Sequence, residues 1–558
     1  MKKHTAAIAV IALNMIFLIP GLARVQELAP GGFELPPPAN PPTFKHPKIE
    51  SGLWRLAQAY RSSGLEAALE TARGHNMKVN ADNTLRIVIE IQGGGSDGLG
   101  PTLIPALSQY IASLGGRVET THGLLVQASV PLSALQTLAD SPLARFVRLP
   151  LKPRLLTVSE GVARTGAADW ISQPSFHGQG LNTRVCILDL GFQGYQSLLG
   201  KELPSSVTTR SFRFDGDIEA GEVHGAACAE IVHDMVPEAN LYLVNFDTDV
   251  EHHNAVDWLI QEGVQVISYS IGWTNAGAGD GTGPIDADVD TAYANGIAWS
   301  ASAGNAAEDH YQGTFSDPDS DGWHNFSSGD ELLEFEVSAY KTVGAFLNWD
   351  DWGAWTGTDY TGSGQDYDLY LFLWNGVTWT QVDSSANPQT GFQWPTEEIY
   401  GYYTAVPARW AIAIRRVHTT RNCGLEIFIW GNSLAIEYNV PWGSVLSPAD
   451  SANCFTAGAV DWSDDSYHYY SSRGPTHDGR IKPDFAAPSG VSTETYGYQG
   501  FYGTSASAPH LAGAFGLLLS RTPYSRDQIL RMLQLRAVDL GSPGRDNMFG
   551  WGRLNLKR

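Results

Sequence analysis

Apolar and polar positions in residues 183–310 follow two alternating patterns. Short apolar runs are typical of buried parallel strands, and longer runs with helical periodicity are typical of helices packed on a sheet. The predicted strands are 183–188, 240–245, 266–270 and 298–303, and the predicted helices are 225–233, 251–262 and 286–295. This alternation predicts an α/β fold with a parallel sheet. Its functional residues should then lie just after the carboxyl ends of strands.

Residues 81–155 show a different order of patterns, strand, helix, strand, strand, helix, strand. The predicted elements are 85–92, 101–114, 117–121, 124–130, 132–139 and 145–149. This order predicts a small α+β sandwich of the ferredoxin-like type.

Residues 311–445 change character again. Short β-like runs dominate, and ten of the chain's 17 Trp lie here. The segment holds 17 acidic and 5 basic residues, a net charge of 5 − 17 = −12. Asn375-Gly376 between two β-like runs predicts a hairpin whose two turn positions both have positive φ. We therefore expect an inserted β-sandwich, which divides the α/β domain into 160–310 and 446–558.

The first residues have the pattern of a secretory signal. Lys2 and Lys3 precede an apolar run at 6–19, and small residues follow at 21–23, so 1–23 is predicted to be a signal peptide. The run is too short to span a bilayer. A Pro-rich linker and a helical segment follow at 24–80. We expect a secreted, extracellular protein without a membrane partner.

The net charge limits the classes of partner, and the positions of the cysteines limit how they could pair. The net charge of −23 argues against nucleic acid. Cys186 lies in a predicted strand and Cys228 in a predicted helix, and their positions fit buried free thiols at least as well as a disulfide. Cys423 with Cys454 is the better disulfide candidate. His252-His253 has no partner at metal-ligand spacing and is predicted to lie on a helix surface.

Four residues with reactive side chains lie at element boundaries. Asp189 ends a strand, His224 opens a helix, Ser505 begins another helix, and Asn305 follows a strand. Acyl transfer needs a hydroxyl nucleophile, an imidazole base and a carboxylate that fixes the imidazole. Taken singly, an Asp turn, a structural His and a Ser N-cap are simpler interpretations. They do not explain the four motifs together.

These motifs resemble, in the same chain order, the Asp, His, Asn and Ser motifs of subtilisin-like serine peptidases. Residues 470–475 and 482–488 are similar to further family segments, and 268–272 resembles the substrate-binding strand. The resemblance implies a triad of Asp189, His224 and Ser505, with Asn305 in the oxyanion hole and no cofactor required for the chemistry. The substrate-binding residues that it implies are Ser270, Ile271, Gly272, Ala303 and Gly304.

The chain also departs from the family pattern. Small residues at 506–508 replace the usual Met-Ala-Ser, and Gly225-Ala-Ala replaces Gly-Thr-His after His224. Cys228 resembles a thiol of proteinase-K-like members. Residues 81–155 occupy the place of an inhibitory prosegment, which implies a zymogen that is cut between 149 and 166 and has its own prosegment as a partner.

Two features of the insert suggest further partners. Asp317, Asp319, Asp321 and Gly322 have the spacing of a calcium loop, but Ser328 replaces the expected Glu, so structural calcium and a solvated acidic turn both remain open. Residues 366–371 resemble the prepeptidase C-terminal module, whose tryptophans could contact a glycan or a surface.

Three hypotheses for function follow. The first is an endopeptidase acting on proteins or peptides, the second is a catalytically silent binding protein that presents the insert, and the third is a narrow processing enzyme. The intact triad favours the first over the second. Small neutral residues around 270–272 and 301–304 hint at uncharged substrate side chains.

Overall fold

The computed structural model describes residues 46–74, 77–91, 103–151, 161–173 and 183–557, and the backbone of 154–155. The predicted signal peptide and most of the Pro-rich stretch lie outside these residues. Among the helices that are described, none is both long and apolar enough to cross a membrane.

An antiparallel four-stranded sheet forms the N-terminal domain. Its elements are α1 (Ser51–Gly74), β1 (Thr84–Ile91), α2 (Ile104–Ser113), β2 (Arg117–His122), β3 (Leu125–Pro131), α3 (Leu135–Ala139) and β4 (Ala144–Arg148). The strand order is β2-β3-β1-β4, which is the split arrangement that the predicted element order requires. Leu53 and Leu56 of α1 share one core with Ile87 and Val126 of the sheet. The boundary drawn at residue 80 therefore separates elements that pack together.

Seven parallel strands form the central sheet. The strands are β6 (Arg184–Asp189), β7 (Thr208–Ser211), β8 (Asn240–Asn245), β9 (Val266–Tyr269), β11 (Ala298–Ser302), β20 (Cys454–Asp461) and β21 (Phe485–Ser489). Their order in the sheet is β21-β20-β11-β9-β6-β8-β7. The helices around it are α7 (His224–Met235), α8 (Asp249–Gln261), α9 (Pro284–Ala294), α10 (Thr504–Arg521) and α11 (Arg526–Arg536). The predicted parallel α/β fold is confirmed.

Shorter elements border this sheet. They are β5 (Arg154–Leu155), α4 (Val162–Thr165), α5 (Ala168–Ile171), α6 (Tyr195–Leu198), β10 (Ile271–Gly272), β22 (Val491–Thr493) and β23 (Gly497–Phe501). The apolar helix α10 packs against the sheet and α7. Thr504 and Ser505 at the start of this helix are buried, as are nearly all of its side chains.

Two four-stranded antiparallel sheets lie between β11 and β20. Their strands are β12 (His310–Thr314), β13 (Leu333–Val337), β14 (Lys341–Trp349), β15 (Asp366–Trp374), β16 (Trp379–Ser385), β17 (Thr396–Thr404), β18 (Ala408–His418) and β19 (Gly424–Trp430). The sheets have the orders β12-β19-β14-β17 and β13-β18-β15-β16 and share one apolar core. We call residues 311–445 the insert.

The hairpin at Asn375-Gly376 forms, but with a longer loop than the sequence indicates. Trp374 pairs with Trp379, so four residues connect β15 and β16. Gly376 has a φ of 95°, whereas Asn375 uses its side chain and accepts from the N–H groups of Val377 and Thr378. The prediction of positive φ at both turn positions is wrong, because the Asn375 side chain stabilises a different turn.

The predicted disulfide between Cys423 and Cys454 is also wrong. All four cysteines are buried free thiols. Cys423 belongs to the core of the insert, and Cys454 begins β20 in the central sheet. The two residues lie in separate cores, which their positions along the chain do not reveal.

Candidate active site

Asp189 and His224 form a buried hydrogen-bonded pair. Asp189 ends β6 and His224 begins α7, so a strand end and a helix start meet. Nδ1 of His224 lies 2.9 Å from Oδ2 and 3.1 Å from Oδ1 of Asp189. The N–H of Leu190 donates to Oδ1 at 2.8 Å. The carboxylate is thereby fixed, and it fixes the orientation of the imidazole in turn.

The surroundings of His224 favour its charged form. Burial alone would lower the pKa of the imidazole, but the charge of Asp189 and the hydrogen bond to it outweigh burial. The pKa of His224 is therefore well above its usual value. An imidazolium that forms here after proton uptake is stabilised by the same carboxylate.

Ser505 is held at the start of α10, beside the pair. Its Oγ donates to the carbonyl oxygen of Ser270 at 3.3 Å, and Oγ of Ser270 donates to the carbonyl oxygen of Ser505 at 2.6 Å. Sγ of Cys228 lies 3.7 Å from that Ser505 carbonyl oxygen and 4.0 Å from Nδ1 of His224. The three residues singled out from the sequence are thus brought to one place.

Asn305 is oriented by its neighbour Thr504. Oδ1 of Asn305 accepts from both the N–H and the Oγ1 hydroxyl of Thr504, each at 2.9 Å. These bonds use the acceptor end of the amide and leave Nδ2 as its donor end. Thr504 precedes Ser505, so the bonds also tie the amide to the start of α10. Sequence reasoning missed Thr504, although its place before Ser505 was a signal.

The short strand β10 carries two of the predicted substrate-binding residues. Ile271 pairs with Leu155 and Gly272 pairs with Arg154 in antiparallel register. Extended chain from the N-terminal part therefore lies along the strand next to Ser270 in the way that an added substrate strand would.

Leu446 fills the space between two of the predicted substrate-binding residues, Gly272 and Gly304. A Cβ atom on Gly272 would lie 2.6 Å from Cδ1 of Leu446, and one on Gly304 would lie 3.2 Å from the same atom. The N–H of Leu446 donates to the carbonyl oxygen of Ala303 at 3.2 Å. Its side chain also clusters with Phe346 of the insert. No pattern in the sequence indicated this residue, because it is brought here only by the return of the chain from the insert.

Glu230 ties α7 to the loop that leads to Ser505. It is buried, and its carboxylate accepts from the N–H of Glu494 at 2.6 Å and of Thr495 at 3.2 Å. Burial raises its pKa to about 7. A charged residue within an otherwise apolar helix face was the signal that could have identified it.

Three carboxylates of the predicted calcium loop do converge. Oxygen atoms of Asp317, Asp319 and Asp321 lie within 4.8 Å of one another. Asp317 is also paired with Arg416. The structure adds Glu331, whose pKa is raised to about 7 by burial and by these neighbouring carboxylates. Oxygen donors of this kind suit calcium.

His252 and His253 are buried, so their predicted place on a helix surface is wrong. Nδ1 of His252 lies 2.8 Å and Nδ1 of His253 lies 2.6 Å from Oδ2 of Asp288. His252 packs among four aromatic rings. The ring of His122, from the N-terminal domain, stacks on His253 at 4.6 Å. Contacts with distant elements, which a helical pattern does not show, bury both residues.

Comparison with known proteins identifies related sequences. The sequence model described as the Subtilase family matches residues 180–342 and 400–552, more than half of the chain. The unmatched stretch between the two matches lies inside the insert. The matched residues include Asp189, His224, Asn305 and Ser505.

Curated relatives match over short stretches. An extracellular serine protease of Serratia marcescens is 50% identical over 62 residues, which are 11% of this chain and 6% of the relative. The minor extracellular protease Epr of Bacillus subtilis (strain 168) is 38% identical over 78 residues, 13% of this chain and 12% of the relative. The chain thus spans 6% and 12% of the length of these two relatives.

Solved structures match over most of the chain at low identity. The CspB protease of Clostridium perfringens is 13% identical with a TM-score of 0.48, and the match covers 71% of this chain and 97% of that protein.

Proposed function

Because the chain belongs to the subtilase family, we propose that it is a secreted serine endopeptidase that hydrolyses peptide bonds through an acyl-enzyme. The observation that carries this proposal is the buried pair of Asp189 and His224 beside Ser505. Relatives described as extracellular proteases support both the activity and secretion. So does the signal peptide predicted at 1–23.

In the proposed first half-reaction, Oγ of Ser505 attacks the carbonyl carbon of the scissile bond while Nε2 of His224 takes the hydroxyl proton. The oxyanion accepts from Nδ2 of Asn305 and from the N–H of Ser505. His224, stabilised as imidazolium by Asp189, then gives its proton to the leaving amine nitrogen. The C–N bond breaks and an ester on Ser505 remains.

In the second half-reaction, water attacks the ester carbon and His224 takes a proton from it. The same two donors hold the second oxyanion. His224 returns the proton to Oγ of Ser505 as the C–O bond to the enzyme breaks, which releases the new carboxylic acid, and this acid then loses its proton to solvent. No metal or organic cofactor enters either step of this proposal.

The N-terminal domain is proposed to be an inhibitory prosegment. Pairing of Arg154–Leu155 with Ile271–Gly272 supports this role, because it occupies the strand that a substrate would use. Since Arg154–Leu155 pairs with the strand that a substrate would use, the first cut is proposed to fall after Leu155 and before Gly166.

The test compares the full chain without residues 1–23 with its Ser505→Ala variant. Mass spectrometry would show self-cleavage between 155 and 166 in the parent, and a fluorophosphonate probe would label the parent at Ser505. The variant should show neither result, with an unchanged circular dichroism spectrum. A folded parent that is neither cut nor labelled, even after limited proteolysis by another protease, would favour the silent binding protein.

The insert gives limited support to that second candidate. Of its ten tryptophans, Trp442 is the most exposed, at 44%, and Trp323, Trp349 and Trp410 are in the core. Aromatic rings in a core stabilise the fold and do not contact a glycan. Glycan or surface contact through the insert stays a prediction.

Structural calcium at the acidic loop of the insert is part of the proposal. Asp317, Asp319 and Asp321 would hold the ion. Because the ion would bind the folded chain and not the unfolded chain, it would stabilise the folded state. Calcium should raise the melting temperature of the parent relative to chelator, and the double variant Asp319→Asn with Asp321→Asn should abolish that rise. An equal rise in both proteins would place the ion elsewhere.

A further inference from the structure

The N-terminal domain contacts the insert as well as the α/β domain. NH1 of Arg55 in α1 lies 2.8 Å from Oδ1 of Asp383, whose side chain is only 6% exposed. Arg145 of β4 is paired with Asp359, and it also donates to the carbonyl oxygen of Phe392 at 3.5 Å. Two arginines of one domain thus meet two carboxylates of the other.

Neutral hydrogen bonds extend the same contact. The N–H of Ser51 donates to Oδ1 of Asn387 at 2.6 Å, and Nε2 of Gln393 donates to the carbonyl oxygen of Pro47 at 3.1 Å. We call Asp359, Asp383, Asn387, Phe392 and Gln393 the insert face.

The insert face is rigidly built. Glu397, which is 1% exposed, accepts from the N–H of Asn387 at 2.6 Å and from its Nδ2 at 3.0 Å. These bonds aim Oδ1 of Asn387 at the N–H of Ser51. The insert is in turn attached to the α/β domain, since Tyr360 OH accepts from the N–H of Ala278 at 3.0 Å and Asn275 donates to the carbonyl oxygen of Glu397 at 3.3 Å.

A second contact area lies against α8. Arg148 donates to Asp249 at 2.7 Å, and Gln127 bonds with both Glu251, at 3.0 Å, and Thr248, at 2.6 Å. In the sheet order β2-β3-β1-β4, the strand that bears Arg145 lies at the edge opposite β2. β2 itself packs on α8. The second area therefore draws on β2, β3 and β4, and it shares β4 with the contact to the insert.

A cavity of about 440 Å³ separates the two areas. Residues of all three parts line it, among them Arg55, Arg148, Asp247 and Asp383. Each area makes its own polar contacts to its partner, and Glu90 of β1 joins the two areas, because it pairs with Arg148 at 2.9 Å and lies 3.6 Å from Arg145.

From this arrangement we propose that the insert face is a docking surface for the prosegment, and that it delays release of the prosegment after the first cut. The proposal rests on the proposed function as a peptidase with an inhibitory prosegment. Two linked contact areas hold a partner longer than either does alone, because one area recaptures it while the other is still bound. The two surfaces are complementary in charge. Two arginines of the N-terminal domain meet carboxylates of the insert, whose net charge is −12.

The test uses the full chain with Arg55→Gln and Arg145→Gln, which leaves the α/β domain and the insert unchanged. Mass spectrometry times the first cut, and a chromogenic peptide assay after dilution times the appearance of activity. We expect the cut to be unchanged and the interval before activity to shorten by at least about tenfold. Arg61→Gln, an exposed position on the same helix, is the matched control and should keep the parent interval.

A charge swap gives the converse test. Arg55→Asp should shorten the interval, and adding Asp383→Arg should restore it toward the parent value. An interval that matches the parent in the Arg55→Gln and Arg145→Gln double variant, with cleavage intact, would overturn the docking proposal and leave the peptidase proposal standing.

The proposal can also be tested without catalysis. In the uncut Ser505→Ala chain, amide hydrogen exchange at Ala144–Arg148 should rise when Arg55 and Arg145 are replaced and stay unchanged with Arg61→Gln. Exchange that does not change would overturn the docking proposal whether or not the protein is a peptidase. Failure of cleavage and probe labelling in the parent would instead count against the proposed function.

Discussion

Nδ1 of His224 lies 2.9 Å from Oδ2 of Asp189, and the side chains are 1% and 0% exposed. Removal from water strengthens the interaction between the two groups. The catalytic predictions follow from this pair and from the residues that orient its neighbours.

Asp189→Asn should lower kcat by about 10⁴-fold, because the amide no longer stabilises the imidazolium or selects its tautomer. A neutral His224 is needed as the base, and Asp189 raises its pKa. The acid limb of the kcat/KM profile should therefore move to lower pH in the variant. Steady-state assays across pH would measure both effects, and an unmoved acid limb would mean that another group titrates.

Thr504→Val should reduce kcat with little effect on KM. The variant loses the Oγ1 donor that holds Oδ1 of Asn305, so the donor end of the amide is less well placed. Removing one oxyanion-hole donor outright costs about 10²–10³-fold, and we expect Asn305→Ala to fall in that range and Thr504→Val to lose less. A Thr504→Ser variant, which keeps the hydroxyl, should behave as the parent. Equal losses in Val and Ser variants would contradict the orienting role.

Leu446→Ala should widen substrate preference. The leucine fills the space between Gly272 and Gly304, so the parent should prefer small uncharged residues before the scissile bond. The variant should gain about 10- to 200-fold in kcat/KM for Phe or Leu relative to Ala at that position. Val445→Ala removes a neighbouring buried side chain from a different cluster and is the matched control. Peptide libraries would measure the preference of each variant. An equal gain in Leu446→Ala and Val445→Ala would mean that general loosening of the packing around these residues, and not the space left by Leu446, causes the change.

Acid should speed departure of the N-terminal domain through His122. Burial lowers the pKa of His122, and the charges of His253 and His252 lower it further. The carboxylates of Asp288 and Asp257 act in the opposite direction but do not outweigh these effects. The docked state thus prefers neutral His122. Docking is strongest above the ordinary His pKa of about 6.5 and weakens as pH falls below it.

The measurement is the interval between cleavage and activity, after incubation at pH values from about 8 to 5 and assay at one common pH. His122→Asn should flatten the dependence. His46→Asn, whose ring pairs with Asp140 within the N-terminal domain, should not. A pH dependence that survives in His122→Asn would assign the effect to other groups.

The sequence predicted those parts of the site that depend on local order. Asp189 and His224 lie at the ends of elements whose patterns are clear, and parallel strands bring such ends to one edge of the sheet. Thr504 and Glu230 carried weaker local signals. Leu446 carried none, because its role depends on a chain reversal through the whole insert.

Contacts between domains were the other source of error. A helical pattern indicates which face of α8 packs on its own sheet. It does not indicate that the N-terminal domain covers His253 on the other face. The sequence likewise does not indicate that the N-terminal domain covers the insert face. Asp359 and Asp383 look like ordinary acidic surface residues until α1 and β4 are placed against them.

The pairing of Arg154–Leu155 with Ile271–Gly272 joins two parts of a single chain. A strand that is tethered in this way meets its groove at an effective concentration that dilution does not lower. The kinetic order of the first cut should therefore be unimolecular. A single molecule, alone in a large volume, would mature as fast as one in a crowded suspension, whereas every later substrate must arrive by diffusion.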